Sequence, residues 1–236
     1  MRIGRLLEGI PVLEIRGDYD ENIEINSVTN DSRKIIEGSL FVAIKGYLQD
    51  GHEYIESAEK KGAKAVLVTE FKENINIPQI KVENVREILS KTSARVMDYP
   101  TKSLRMIGIT ATNGKTTTSY MLDHIYKNAG FKTGLIGSVV IKAGDEFVHS
   151  NLTTPESCDL QVIFKKMLDK KLDKVVMEVS SSALELYRVN DVDFDIVAFN
   201  NFSREHIDQH GSLEKYYDAK SSLVRNAKAS GFAVLN

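Results

Sequence analysis

The segment LRMIGITATNGKTTT, residues 104–118, runs from an apolar strand through an Asn-Gly turn into a lysine and three threonines. An apolar strand feeding a helix through such a turn is the setting in which backbone amides and a helix N-terminus converge on a polyphosphate. Thr112, Asn113, Gly114, Lys115, Thr116 and Thr117 are therefore candidate phosphate-binding residues. Lys115 supplies a mobile positive charge, and the Thr116 hydroxyl is placed to meet magnesium. Ile109 stands where the general phosphate-loop pattern has its first glycine, so a plain strand-to-helix turn stays open as the alternative.

Strands and helices alternate downstream of this segment. A helix is predicted from about Lys115 to Ala129 with Gly130 as its stop, then a strand TGLIGSVVI. Next comes a helix opened by Thr154 as cap and Pro155 at its first position. The strands DKVVMEV and DFDIVAFN follow, then a helix from Ser212 to about Ala227, and FAVLN reads as a final buried strand. This alternation implies a mostly parallel sheet that binds ligands beyond the carboxyl ends of its strands. Glu178, at the end of an apolar strand, is placed to face the loop and hold magnesium. FAVLN has no closing helix after it, so the architecture is expected to continue past it.

Upstream, SLFVAIKG reads as a buried strand, GHEYIESAEKKG as a helix stopped by Gly62, and AKAVLVTE as another strand. Asn84 followed by Glu87 marks a helix start, with Val85, Ile88, Leu89 and Val96 on its apolar side. That helix should end near Tyr99-Pro100, because proline disfavours helical geometry in the residue before it. The polar joint 101–103 then separates a small α/β domain, 1–99, from an incomplete phosphate-loop domain with a mostly parallel sheet, 104–236.

The 236 residues are 42% hydrophobic and 27% charged, which excludes disorder of the whole chain. Lys and Arg number 31 against 33 Asp and Glu, so no global field recruits nucleic acid or an anionic membrane. Charged side chains interrupt every apolar run well short of the roughly 20 residues a membrane-spanning helix needs. The arginines and glutamate of MRIGRLLEG do not fit a secretory signal, so a cytoplasmic location is expected. Cys158, the single cysteine, allows no internal disulfide and reads as a small buried residue.

In NNFSREHIDQHG, residues 200–211, His206, Asp208 and His210 read either as a metal cluster or as polar surface. In the following helix Lys220 shares the apolar stripe of Leu213, Tyr216, Tyr217 and Val224. It either snorkels to water or is neutralised or modified.

Taken together, the segments NDSRKIIEGSLFVAIKGYLQDGHEYI, TATNGKTT, TTPES, EVSSSALELYRV and SREHIDQHGSLEKYYDAK resemble, in this order, those of Mur ligases of the MurE type. The resemblance implies an ATP-dependent ligase of peptidoglycan synthesis that adds the third amino acid to UDP-N-acetylmuramoyl-L-Ala-D-Glu through an acyl phosphate. Its partners are then that UDP-muramoyl dipeptide and an amino acid, and its cofactors ATP and Mg2+. Ser32, Arg33 and the Gly46–Gly51 loop match segments that hold the uridine end, while Thr153, Thr154, Ser180 and Arg188 match contacts to the muramoyl peptide. Lys115 and Thr116 match the residues at ATP phosphates and magnesium, Glu178 and His206 match metal ligands, and Lys220 matches a lysine that is carbamylated and binds magnesium. A carboxy-terminal amino-acid-binding domain, also implied, is absent from the sequence, so this chain by itself is expected to lack turnover. The chain departs from the family at Ala111 (usually glycine), Ser182 (histidine), Asn200 (threonine) and Glu205 (aspartate). Ala111 bears most on nucleotide affinity, because alanine narrows backbone freedom. Competing readings are a non-catalytic nucleotide or UDP-sugar binding module and a phosphate-loop ligase of the folylpolyglutamate or cyanophycin type.

Overall fold

Runs such as SLFV and AKAVLV carry almost no polar alternation, which suits strands covered on both faces. In the computed structural model, which describes every residue except Leu48 and His206, such strands lie at the centres of two sheets in two units, Met1–Asp98 and Tyr99–Asn236. The first unit runs α1 (Ile3–Leu7), β1 (Val12–Arg16), β2 (Ser27–Thr29), β3 (Ser39–Val42), α2 (Ile55–Lys60), β4 (Ala63–Val68), β5 (Gln79–Val82) and α3 (Val85–Val96). Its sheet order is β1-β5-β4-β3-β2. The pairs β2–β3, β3–β4 and β4–β5 are parallel, and β1 is antiparallel to β5. Phe41, Ala43, Val66 and Val68 pack against Ile55 and Ala58 of the α2 segment.

The Asn84 side chain caps α3, accepting from the backbone N–H groups of Arg86 at 3.1 Å and Glu87 at 3.3 Å. The helix stops at Val96, earlier than the proline rule alone places it. Asp98 and Tyr99 take left-handed φ values of 59° and 50°. Both residues are thus out of the right-handed helical region before Pro100 opens a short 3-10 turn.

The second unit contains β6 (Arg105–Thr110), α4 (Lys115–Asn128), β7 (Thr133–Ile136), β8 (Val140–Ala143), β9 (Glu146–His149), α5 (Ser157–Asp169) and β10 (Lys174–Glu178). It continues through α6 (Ser181–Glu185), β11 (Phe194–Phe199), α7 (Ile207–His210), α8 (Leu213–Arg225) and β12 (Phe232–Leu235). The sheet order is β12-β11-β6-β10-β7-β8-β9. Parallel pairing runs from β12 to β7, and β8 and β9 add an antiparallel hairpin. Side chains alternate across β6 with the period of a strand. Met106 joins Phe164, Met167 and Leu223 in one core, while Ile107 and Ile109 join Leu135 and Val176 in the other.

Three details differ from the sequence reading. TGLIGSVVI is two strands, because the chain reverses between Gly137 and Val140, where Gly137 N donates to Val140 O at 3.1 Å. Thr154 does not cap a helix: α5 begins at Ser157 after Glu156. The Thr154 hydroxyl is instead spent on the end of β10, donating to Glu178 O at 2.9 Å and accepting from Ser180 N at 3.0 Å. Finally, β12 is an edge strand with exposed Phe232, Val234 and Leu235, since it pairs only with β11.

The Asn84 cap yields a direct prediction. Asn84→Ala should lower unfolding free energy by about 1 kcal/mol in urea titrations, the usual effect of losing such a cap; an unchanged midpoint would show that the cap contributes nothing.

Candidate functional site

The carboxyl ends of β6 and β10 lie side by side, with Glu178 paired in register with Ile109. That register brings the buried Glu178 carboxylate to the head of α4, where Thr116 Oγ1 donates to Glu178 Oε2 at 2.9 Å. The turn after β7 closes over the same carboxylate. Ser138 N donates to Oε1 at 3.2 Å, and Ser138 Oγ donates to Oε2 at 3.1 Å. Gly137 has to be glycine here, because a Cβ would overlap Glu178 Oε1.

The phosphate-loop segment is held from the β11 side. Thr112 N donates to Asn201 O at 3.1 Å, Asn113 N to Asn201 Oδ1 at 3.0 Å, and Asn201 Nδ2 to Asn113 O at 2.8 Å. The Thr112 hydroxyl accepts from Ser203 N at 2.9 Å and lies 3.2 Å from the Tyr216 hydroxyl. Gly114 carries the left-handed φ of 82° that starts α4. The amides at the head of α4, Lys115 to Thr117, lack intrahelical partners by construction and form the positive end of the helix dipole. Ala111 is not among the left-handed positions. The backbone at this position is therefore one that alanine adopts without left-handed strain.

Two lysines converge on one carbonyl. Ala111 O accepts from Lys115 Nζ at 2.8 Å and from Lys220 Nζ at 2.7 Å. Lys220 is only 1% exposed, so it does not snorkel. Burial, then the neighbouring Lys115 charge, pulls its pKa down to about 7 against the opposing pull of Glu205. Burial also lowers the Lys115 pKa, with Glu178 and Glu205 opposing.

A cavity of about 270 Å³ opens beside these groups, and Lys115, Lys220, Thr153, Thr154, Ser180 and Arg188 all line it. Several of these predicted contacts are already joined to one another. The Ser180 side chain caps α6 by accepting from Ala183 N at 3.2 Å. Arg188 donates to Thr154 O at 3.1 Å and pairs with Glu156 at 2.6 Å. Thr153 stands apart, its Oγ1 lying 3.0 Å from Ser138 Oγ.

Among the described residues no cluster of three or more His, Cys, Asp or Glu forms a metal-binding group. His206, expected as a metal ligand, lies outside the described residues. His210 ties α7 to α6, with Nε2 2.9 Å from Ser181 Oγ and Nδ1 3.0 Å from Glu185 Oε2. The Thr116 hydroxyl and Glu178 carboxylate are hard oxygen donors beside a phosphate-loop helix, a donor set that fits magnesium.

In the first unit, Ser32, Arg33, Gly46, Gly51, Tyr54 and Phe41 line a cleft of about 480 Å³. Leu48, inside the predicted Gly46–Gly51 loop, is outside the described residues. Arg33 points outward and grips Asp31 through Nε–Oδ1 at 2.9 Å and Nη2–Oδ2 at 2.8 Å. That bidentate pair holds the Asp31 carboxyl down to about 2.

Sequence reasoning missed Gly137, Ser138, Asn201 and Tyr216 as parts of the second site. Gly137, Ser138 and Asn201 follow the carboxyl ends of β7 and β11, the positions at which parallel sheets place ligand-binding groups.

The model of the Mur ligase middle domain matches residues 109–236, and that of the Mur ligase family, catalytic domain, matches residues 24–97. A UDP-N-acetylmuramoyl-L-alanyl-D-glutamate–2,6-diaminopimelate ligase of Bacillus velezensis is 45% identical over 223 residues, covering 94% of this chain and 45% of that protein. A Clostridium acetobutylicum protein of the same name, numbered 1, is 40% identical over 231 residues, covering 98% and 48%. A solved structure of a UDP-N-acetylmuramoyl-L-alanyl-D-glutamate–2,6-diaminopimelate ligase aligns with a TM-score of 0.81 at 26% identity, over 100% of this chain and 47% of that one. MurF from Acinetobacter baumannii shares the fold, with a TM-score of 0.71 at 22% identity over 99% and 48% of the two chains. The chain spans about half the length of the curated relatives it matches.

The crowding at Gly137 makes a coupled prediction. Gly137→Ala should cost about 1–3 kcal/mol of stability, as overpacking does. In a Glu178→Ala background the same change should cost far less, because the colliding atoms are gone; equal costs in both backgrounds would refute the contact.

Proposed function

The chain belongs to the Mur ligase family, and from that premise we propose that it forms the uridine-binding and phosphate-binding parts of an ATP-dependent amide ligase. The substrate in this reading is UDP-N-acetylmuramoyl-L-Ala-D-Glu, and the joined amino acid is the 2,6-diaminopimelate of the relatives' names. Residues 1–99 take the uridine end in the cleft at Ser32 and Arg33, and residues 104–236 take ATP. The amino acid is held by a further domain, and the reaction belongs to cytoplasmic peptidoglycan synthesis. No described helix is long and apolar enough to cross a membrane.

The observation that carries this reading is the convergence of Lys115 and Lys220 on Ala111 O beside the Thr116–Glu178 pair. In the reaction, the D-Glu side-chain carboxylate attacks the γ-phosphorus and ADP leaves, giving an acyl phosphate. The incoming amine then attacks the acyl carbon, inorganic phosphate departs, and the amine loses a proton. Lys115 and the α4 amides neutralise phosphate charge, and the walls of the cavity beside Lys115 hold carboxylate and phosphate in line, which supplies much of the rate. Magnesium, when bound, screens the repulsion between carboxylate and phosphates. Thr116, Glu178 and the carbamate of Lys220 would hold it, and the resemblance gives His206, outside the described residues, to a second magnesium. Carbamate formation consumes a neutral amine and carbon dioxide and releases one proton, so the depressed Lys220 pKa favours it.

Calorimetry tests the substrate. The UDP-muramoyl dipeptide should bind this chain more tightly than UDP-glucose, and Ser32→Ala should weaken it; equal affinity for both sugar nucleotides would count against the reading. NMR with 13C-labelled bicarbonate tests Lys220. Below its folded pKa the amine is an ammonium and cannot add carbon dioxide, so the carbamate signal should appear as pH rises through about 7. Lys220→Arg should abolish that signal, and a signal absent from the native protein up to ordinary lysine pKa values would remove Lys220 from the ligand set.

A further inference from the structure

The Thr153, Ser138 and Glu178 side chains form a chain whose direction can be fixed by counting protons. Glu178, as a carboxylate, only accepts, and its Oε2 receives Ser138 Oγ at 3.1 Å. Ser138 has one hydroxyl proton, so a hydroxyl that donates to Glu178 can only accept from its other neighbour. That neighbour is Thr153 Oγ1 at 3.0 Å, which therefore donates its own single proton to Ser138. The reverse arrangement would aim Ser138 lone pairs at the Glu178 carboxylate, leaving two acceptors in contact with no proton between them. The backbone helps to fix the donor, since Ser138 N reaches Glu178 Oε1 at 3.2 Å and Gly137 leaves room for the carboxylate.

We propose that Ser138 is a positioning residue that sets the hydrogen-bond polarity of the cavity beside Lys115, so that Thr153 presents lone pairs and receives a peptide N–H of the bound substrate. The inference rests on the muramoyl-peptide reading above and deepens it. Lys115, which lines the same cavity, meets the anionic ends of the ligand. With its proton already committed, Thr153 is mismatched to a carboxylate and matched to an amide. Specificity for a peptide over an ester of the same shape follows, because an ester oxygen cannot supply the proton that Thr153 accepts.

Neutron diffraction of the deuterium-exchanged protein reads the polarity without any ligand. The Thr153 deuteron should point to Ser138 Oγ and the Ser138 deuteron to Glu178 Oε2; a Ser138 deuteron pointing to Thr153 overturns the proposal. Calorimetry reads the consequence, using UDP-N-acetylmuramoyl-L-Ala-D-Glu and two analogues in which each peptide amide in turn is an ester. One ester should bind about fivefold more weakly, the effect of one ordinary neutral hydrogen bond. That ratio should fall to near one in Thr153→Val. It should also shrink in Ser138→Ala, where the Thr153 proton is free to turn, while both ligands still bind. Native protein that treats amide and both esters alike, or a ratio unchanged in either variant, overturns the proposal. If none of the ligands binds, the muramoyl-peptide reading fails and the Thr153–amide contact with it, while the deuteron positions still decide what Ser138 does.

Discussion

The arrangement of the second unit depends on one buried carboxylate. Glu178 sits at the end of the central strand β10, fully shielded from water, where an unpaired charge would be strongly destabilising. It is stabilised by hydrogen bonds from three groups on two different segments: the Thr116 hydroxyl of α4 and the amide and hydroxyl of Ser138 after β7. Each of those bonds fixes the segment that makes it. The head of the phosphate-loop helix and the turn that splits β7 from β8 are thereby brought to one point, with Thr153 joined to that point through Ser138.

The same economy of polar groups appears around Ala111. Its carbonyl oxygen has two lone pairs, and two lysine amines occupy them. Holding two like charges so close in a buried place is unfavourable, and Lys220, the more buried, responds by favouring its neutral form. Lysine chemistry that is inaccessible in water near neutral pH is accessible here, since a neutral amine is a nucleophile and an ammonium is not. The Tyr216 ring below adds a face toward which the amine points, 4.7 Å from its centroid.

Rigidity and openness are divided between residues of one short stretch. Thr154 is fully buried and satisfied by the backbone of the β10 end, and Ser180 and Arg188 are tied to the same segment. Thr153, one residue earlier, faces the cavity. Under the proposed reading, a wall fixed by internal hydrogen bonds holds Thr153 in place without ordering it anew for each ligand, which lowers the entropic cost of recognition.

The sequence by itself determined β6 and α4, then β10, β11 and α8 but not the short α6 and α7 between them, the Asn84 cap, and the residue types at the phosphate loop. Those features are local: periodic burial, a side chain reaching its own helix end, and a glycine where φ must be positive. Tertiary structure alone decided the rest. TGLIGSVVI divides at Gly137, whose missing Cβ leaves room for Glu178, forty-one residues away in sequence and invisible to any period. Thr154 has the local signature of a helix cap, and a distant strand end claimed its hydroxyl first. Lys220 lay on an apolar stripe in either reading; only the packing of α8 against the phosphate loop, which removed water and set Ala111 O and Lys115 beside it, decided between a solvated ammonium and a buried amine of lowered pKa. Periodicity reports which face of an element is buried, and the groups that meet on that face are chosen by contacts between residues far apart in the chain.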